Sequence, residues 1–368
     1  MGSEMCIRDS KYIDYYNDSK KVTYHEQTDI SNILKLRAVL KTLPDFCKDY
    51  FRAMDPLTTT KTRISYAYDI RIFFQFLLDE NPAFKDYSMK DFTVDVLDQL
   101  KAIDIEEYQE YLKVYKNGDK TETNGERGLK RKISALRSFY AYYYKHEFIQ
   151  TNPTVLVDVP KTHEKNIIRL DADEVAMLLD YIEHCGDELT GQKRVYYEKT
   201  KERDLAIVTL LLGTGIRVSE CVGLDIEDVD FKNNGIKVTR KGGNEMVVYF
   251  GNEVEKALKK YLEVRKNIVP VSGHEHALFY STQRKRIGIQ AVENLVKKYA
   301  CAITTTKKIT PHKLRSTYGT TLYQETGDIY LVADVLGHRD VNTTKKHYAA
   351  MDDARRRKAA TAVHLRED

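Results

Sequence analysis

Two arginines, a lysine, two histidines and a tyrosine recur along the second half of this 368-residue chain at positions suited to one chemistry. Arg217 follows Gly213-Thr214-Gly215-Ile216 and precedes Val218-Ser219-Glu220. Lys241 opens Lys241-Gly242-Gly243-Asn244, between two apolar runs. His312 and Arg315 share Pro311-His312-Lys313-Leu314-Arg315, where an i, i+3 spacing puts both on one helix face. His338 closes Leu336-Gly337-His338, and Tyr348 follows Thr343-Thr344-Lys345-Lys346-His347. A guanidinium offers paired planar donors that match two non-bridging phosphate oxygens. Arg217 and Arg315 could therefore clamp a phosphodiester and stabilise the charge on a pentacoordinate phosphorane. A lysine at a turn could protonate the leaving oxygen. Imidazole titrates near neutrality, so His312 suits a general base or a hydrogen bond to phosphate. A phenol beside cations and a base becomes a usable nucleophile.

Singly, each residue has a plainer explanation. An arbitrary arginine is most often half of a surface ion pair. A turn lysine is usually solvated, and a lone histidine more often caps or packs than reacts. Tyr348 is one of 26 tyrosines, most of which should pack with a wet hydroxyl. The fixed order of all six is what carries weight.

These residues need elements to hold them. Residues 11 to about 30 show no period. A helix is expected from Ile33 through Tyr50, with Pro44 kinking or splitting it. Thr58-Thr59-Thr60 caps a helix whose Ile70, Phe73, Phe74 and Leu77 follow the i, i+3, i+4, i+7 pattern. Another helix spans about Asp104 to Tyr115, ended by Asn117-Gly118-Asp119, with Lys120 to Gly128 a polar loop. From Leu129 to Lys145, Leu129, Ile133, Leu136, Tyr140 and Tyr143 form one stripe, with Lys130, Arg131, Lys132 and Arg137 beside it. Between Gly128 and Gln150 stand five Lys/Arg and one acidic residue, a candidate phosphate-tracking face, although most charge runs are solvated. Asn152-Pro153 to Val159-Pro160-Lys161 reads as an extended linker and domain boundary. Beyond it come a helix after Asp171 with Glu174 completing a capping box, and a buried helix over about 201–212. A β-hairpin follows at 236–250, then helices near 253–266 and 289–302.

Composition narrows the class. The length fits two domains. With 59 basic and 55 acidic residues, the net charge of +4 does not by itself mark a nucleic-acid binder; local clustering would. Five cysteines without a C-x-x-C pair support neither a disulfide framework nor a zinc ribbon, and suit a reducing cytoplasm. No apolar run reaches membrane-spanning length. Residues 1–10 have no periodicity and read as a tag, a scar or a misread start rather than as part of the fold.

Taken together, the six residues and their motifs resemble the active site of the tyrosine recombinases, the DNA integrase family that includes the Xer-type enzymes. The resemblance runs from about Thr58 to Met351, with Leu136-Arg137-Ser138-Phe139-Tyr140 and Asn152-Pro153 resembling the end of the family's core-binding domain. It implies a mainly α, two-domain DNA clamp. Residues 31–160 would be a helical core-binding (SAM-like) domain, after a poorly ordered segment at 1–30. Residues 161–368 would be a mostly helical catalytic domain with a small β-sheet. It also implies that Tyr348 attacks, assisted by Arg217, Lys241, His312, Arg315 and His338, leaving a 3′-phosphotyrosyl enzyme. DNA contacts are expected from Lys130, Arg131, Lys132 and Arg137. No cofactor, metal or ATP is implied. The partners would be a double-stranded recombination site and three further copies, forming a tetramer on DNA through the tail Asp352 to Asp368, which carries Arg355-Arg356-Arg357-Lys358. Two features depart from the family pattern. The interval from His338 to Tyr348 is one residue longer than in many Xer-type members, which points away from a housekeeping Xer enzyme. Cys221 and Val222 replace a larger apolar residue and its neighbour, a matter of packing. A type IB topoisomerase uses similar residues on one duplex, but the core-binding domain and the tail favour a recombinase. A DNA-binding protein without catalysis is disfavoured by the intact residue set.

Overall fold

The computed structural model describes residues 23–161, 163, 168–240, 243–338 and 341. The chain divides into two compact units, Met1–Lys165 and Asn166–Asp368. Both are mostly helical, and each carries a small antiparallel sheet.

The first unit contains α1 (Tyr24–Leu40), α2 (Cys47–Ala53), α3 (Thr60–Glu80), α4 (Val96–Gln99), α5 (Ala102–Tyr111), β1 (Val114–Asn117), β2 (Lys120–Thr123) and α6 (Glu126–Lys145). Helix α1 begins well before Ile33, inside the stretch expected to be poorly ordered. Thr23 and Glu26 form its capping box: Glu26 N–H donates to Thr23 Oγ1 at 3.3 Å and Thr23 N–H to Glu26 Oε2 at 2.8 Å. Pro44 splits rather than kinks, because α1 stops at Leu40 and α2 starts at Cys47. Helix α3 buries Ile70, Phe73, Phe74 and Leu77 completely. The α6 stripe Leu129, Ile133, Leu136, Tyr140 and Tyr143 is buried as well. Edge-to-face rings build the core, with Tyr50–Phe139 centroids 5.2 Å apart and Phe73–Tyr108 centroids 5.1 Å apart. Buried tyrosine hydroxyls find acceptors, Tyr50 on Ser138 Oγ at 2.9 Å and Tyr143 on the Phe46 carbonyl at 2.7 Å.

Two expectations fail in this unit. Helix α5 ends at Tyr111, and the residues expected to form a polar loop are half of a β-hairpin, with Asn117 opposite Lys120 and Gly118 at φ +61. An Asn-Gly turn between short runs of Val, Tyr and Thr is a hairpin signal, and it outweighs the polarity of the flanks. The 152–161 stretch is not simply extended. It holds a 3-10 turn at Pro153–Val155, with Asn152 Oδ1 accepting from Thr154 N–H at 3.2 Å.

The basic residues of α6 mostly serve the fold. Asp69 is buried in α3, where burial pushes its carboxyl up while Arg131 and Lys132 pull it down. Arg131 grips it through both terminal nitrogens, one of them at 2.8 Å. Lys132 is buried too, 3.0 Å from Asn124 Oδ1 and 3.9 Å from Asp69 Oδ1. Arg137 donates to the Thr154 carbonyl at 3.1 Å and the Val157 carbonyl at 2.5 Å.

The second unit contains α7 (Ala172–His184), α8 (Gly191–Thr214), α9 (Val218–Gly223), β3 (Val229–Asp230), β4 (Gly235–Thr239), β5 (Glu245–Tyr249), α10 (Asn252–Arg265), α11 (Ile289–Ile303), α12 (Pro311–Thr326) and α13 (Ile329–Leu336). Its centre is α8, buried continuously from Arg203 to Leu211, with α7, α10 and α12 packed on it. The capping box at α7 forms, Asp171 N–H donating to Glu174 Oε2 at 2.7 Å. The expected hairpin is β4–β5, with Thr239 opposite Glu245, and β3 adds a third strand against β4. Helix α8 is longer than expected because its first turns, Gly191 to Glu198, are largely exposed and carry no apolar period.

Arg131→Ala should leave Asp69 buried beside Lys132 alone. The unfolding free energy should fall by on the order of 1–3 kcal/mol, after allowing for the half-exposed guanidinium, read as a lower urea midpoint at pH 7. Lys130, which is exposed, should tolerate alanine to within about 0.5 kcal/mol.

Candidate active site

The site of the second unit is assembled around one helix end. Helix α13 stops at Gly337, whose φ of +61 reverses the chain. His338 N–H returns to the Ala333 carbonyl at 2.9 Å. The last carbonyls of a helix lack intrahelical donors and carry the negative end of its dipole. Three guanidiniums take up three successive ones. Arg240 Nη2 donates to Val335 O at 2.6 Å, Arg315 Nη2 to Leu336 O, and Arg217 Nη2 to Gly337 O at 3.3 Å.

Arg315 projects from α12 and is buried. Its Nη1 donates to the Gly215 carbonyl at 2.6 Å, joining the end of α8 to the end of α13. Gly215 caps α8 with φ +63, and a Cβ there would lie 2.3 Å from Tyr318 Cδ1 and 2.9 Å from Leu336 Cδ2. That close approach and the positive φ together call for glycine. Arg217 is the N-cap of α9. Glu220, buried, accepts from its Nη1 at 2.7 Å and its N–H at 2.8 Å. A charge-assisted pair of this kind fixes the guanidinium before any ligand arrives.

His312 lies in the first turn of α12 and is exposed, although Arg315 one turn later is buried. His338 is half-buried just beyond α13. The structure thus brings Arg217, Arg315 and the turn bearing His338 together. Lys241 and Tyr348, and the tail from Asp352, lie outside the described residues. Among the expected DNA contacts, Lys130 is exposed and Arg131 half-exposed on Asp69, whereas Lys132 and Arg137 are committed to internal partners. Of the four expected contacts, Lys130 and Arg131 are the two whose side chains remain exposed, because the other two cations are used within the fold. Cys221 and Val222 are buried, in keeping with a packing role.

Two residues of the site carry little signal in the sequence. Glu220 sits inconspicuously in the Arg217 motif, yet its i, i+3 spacing from Arg217 is an ion-pair signal. Arg240 has no distinguishing mark beside Lys241. Among the described residues no group of three His, Cys, Asp or Glu side chains gathers as a metal-ligand set, and no helix is long and apolar enough to cross a membrane.

Residues 168–355 match the phage integrase family model. The tyrosine recombinase XerC of Caldanaerobacter subterraneus subsp. tengcongensis is 33% identical over 315 residues, covering 83% of this chain and 82% of its own. The tyrosine recombinase XerS of Lactococcus lactis subsp. cremoris is 31% identical over 338 residues, covering 86% and 93%. Among solved structures, the XerH site-specific recombinase bound to its difH substrate superposes with a TM-score of 0.57 at 21% identity, covering 82% of this chain and 78% of that one. A Tn1549 transposon integrase fragment in complex with a circular intermediate DNA gives 0.61 at 20% identity, covering 85% and 98%. The longer interval before Tyr348, expected to point away from a housekeeping Xer enzyme, does not separate this chain from Xer-type recombinases in overall sequence.

Proposed function

This chain belongs to the phage integrase family, the tyrosine recombinases, and carries out site-specific DNA recombination by the tyrosine mechanism; we propose that Tyr348 is its nucleophile and that Arg217, Lys241, His312, Arg315 and His338 serve it. The observation that supports this assignment best is the convergence of Arg217 and Arg315, remote in sequence, on adjacent carbonyls of the turn that leads to His338. Two guanidiniums held this way would present donors to one phosphate without reorganising as charge develops.

In the proposed step, Tyr348 Oη attacks the scissile phosphorus and its proton passes to His312 or to water. The bond from phosphorus to the 5′-oxygen breaks, and Lys241 gives that oxygen a proton. The products are a 3′-phosphotyrosyl enzyme and a free 5′-hydroxyl. The 5′-hydroxyl of a partner strand then attacks the phosphotyrosine and releases the phenol. One phosphodiester is exchanged for another at each step, so bond energy is conserved. The first unit would contribute backbone contacts through Lys130 and Arg131, and residues 31–160 would act as the core-binding domain. The tail from Asp352 to Asp368 would dock on a neighbouring copy and build a tetramer on DNA.

Tyr348→Phe should bind a duplex site normally and form no covalent adduct on a nicked suicide substrate, read by denaturing gel. Arg217→Ala and Arg315→Ala should slow cleavage by on the order of 10²–10³ while affinity falls far less. Equal losses in binding and cleavage would make these two arginines anchors only. Deleting residues 352–368 should leave single-site binding intact and remove the four-protomer complex in sedimentation. A tetramer that survives the deletion would place the contact elsewhere.

A further inference from the structure

Arg240 is the last residue before the β4–β5 turn, its N–H bonded to the Asn244 carbonyl at 2.7 Å. Its Nη2 is spent on Val335 O. Its Nε and Nη1 are sealed from solvent and meet no acceptor among the described residues. Burying two donors of a cation without acceptors costs folding free energy. An arginine on an open surface would avoid that cost by turning into water. Arg240 is instead held against Gly337, where a Cβ would sit 1.2 Å from Nη1. The glycine of Leu336-Gly337-His338 thus makes room for this side chain as well as reversing the chain.

The charges around it do not balance. Burial works against the cation; Glu220 favours it, the Arg217 charge opposes it, and Asp334 favours it. Glu220 already accepts two bonds from Arg217, and Asp334 is exposed. Among the described residues, Arg217 and Arg240 thus face one buried carboxylate, Glu220, whose bonds go to Arg217. Buried unsatisfied donors are rare enough in folded proteins to call for an explanation, a functional role among them. A positive charge in a partly dry site acts over several ångströms without contact.

We infer that Arg240 is a further functional residue of the phosphate site, supplying unbalanced positive charge that draws and stabilises the scissile phosphate without touching it. This rests on the reading of the site as a phosphodiester-cleaving one. The test uses the full chain and single-turnover cleavage at saturating protein, normalised to the folded fraction. Two variants separate charge from hydrogen bonding. R240Q keeps a donor for Val335 O and loses the charge, whereas R240K keeps the charge. R240Q should cleave roughly tenfold more slowly, a smaller loss than for a donor that touches the phosphate. R240K should recover most of that rate. The R240Q melting temperature should be unchanged or raised. On a substrate whose scissile phosphate is an uncharged methylphosphonate, the gap between wild type and R240Q should shrink. Wild-type rates for R240Q would overturn the inference, as would an equal gap on both substrates or a loss that merely tracks unfolding. A wild-type protein that cleaves no substrate would overturn the underlying reading and this inference with it.

Discussion

The end of α13 is the constraint on which the catalytic unit depends. A helix terminus leaves carbonyls that must be satisfied, and here arginine side chains do it from three directions. Arg217 comes from the start of α9, Arg240 from the end of β4 and Arg315 from within α12. Arg217 and Arg315 hold further partners, Glu220 and the Gly215 carbonyl, but the helix end is what all three share. With it, three parts of the fold are tied to one turn, and the turn is tied to His338. Glycine at 215 and 337 is what lets the backbones and side chains approach closely enough.

The same arrangement sets the electrostatics. Cations are favoured at a helix C-terminus, and Glu220 pairs with Arg217. Guanidiniums gathered this way would suit a phosphodiester, and its transition state better still. Buried Glu220 fixes Arg217, so this guanidinium is oriented without a ligand. The first unit solves a different problem with similar residues. There Arg131 and Lys132 neutralise buried Asp69, and Arg137 fastens the 3-10 turn at Pro153–Val155.

Much of this arrangement is legible in the amino-acid sequence. The α3 and α6 stripes, the α7 capping box and the β4–β5 hairpin follow from period and turn chemistry, and the order of motifs points to the family. Other parts are not legible there. The first half of α8 is largely exposed, so it lacks the apolar spacing that announces a helix. The β1–β2 hairpin is hidden by its polarity, although Asn117-Gly118 marks it. Lys132 stands three residues after Leu129 and four before Leu136, at the edge of the buried stripe; counting charges alone makes it look like part of an open face. Arg240 is invisible in the sequence because only the tertiary position of Gly337 gives it meaning.

The central claim is that the assembled cations serve a phosphotyrosyl transfer at Tyr348. The most direct measurement is to trap the covalent adduct on a suicide duplex, digest it and identify the nucleotide-bearing peptide by mass spectrometry. The account predicts one modified peptide containing Tyr348, linked to a 3′-phosphate, with a free 5′-hydroxyl on the other strand end. A modification on another residue, such as the exposed Tyr330 of α13, or a 5′-phosphate linkage, would contradict it.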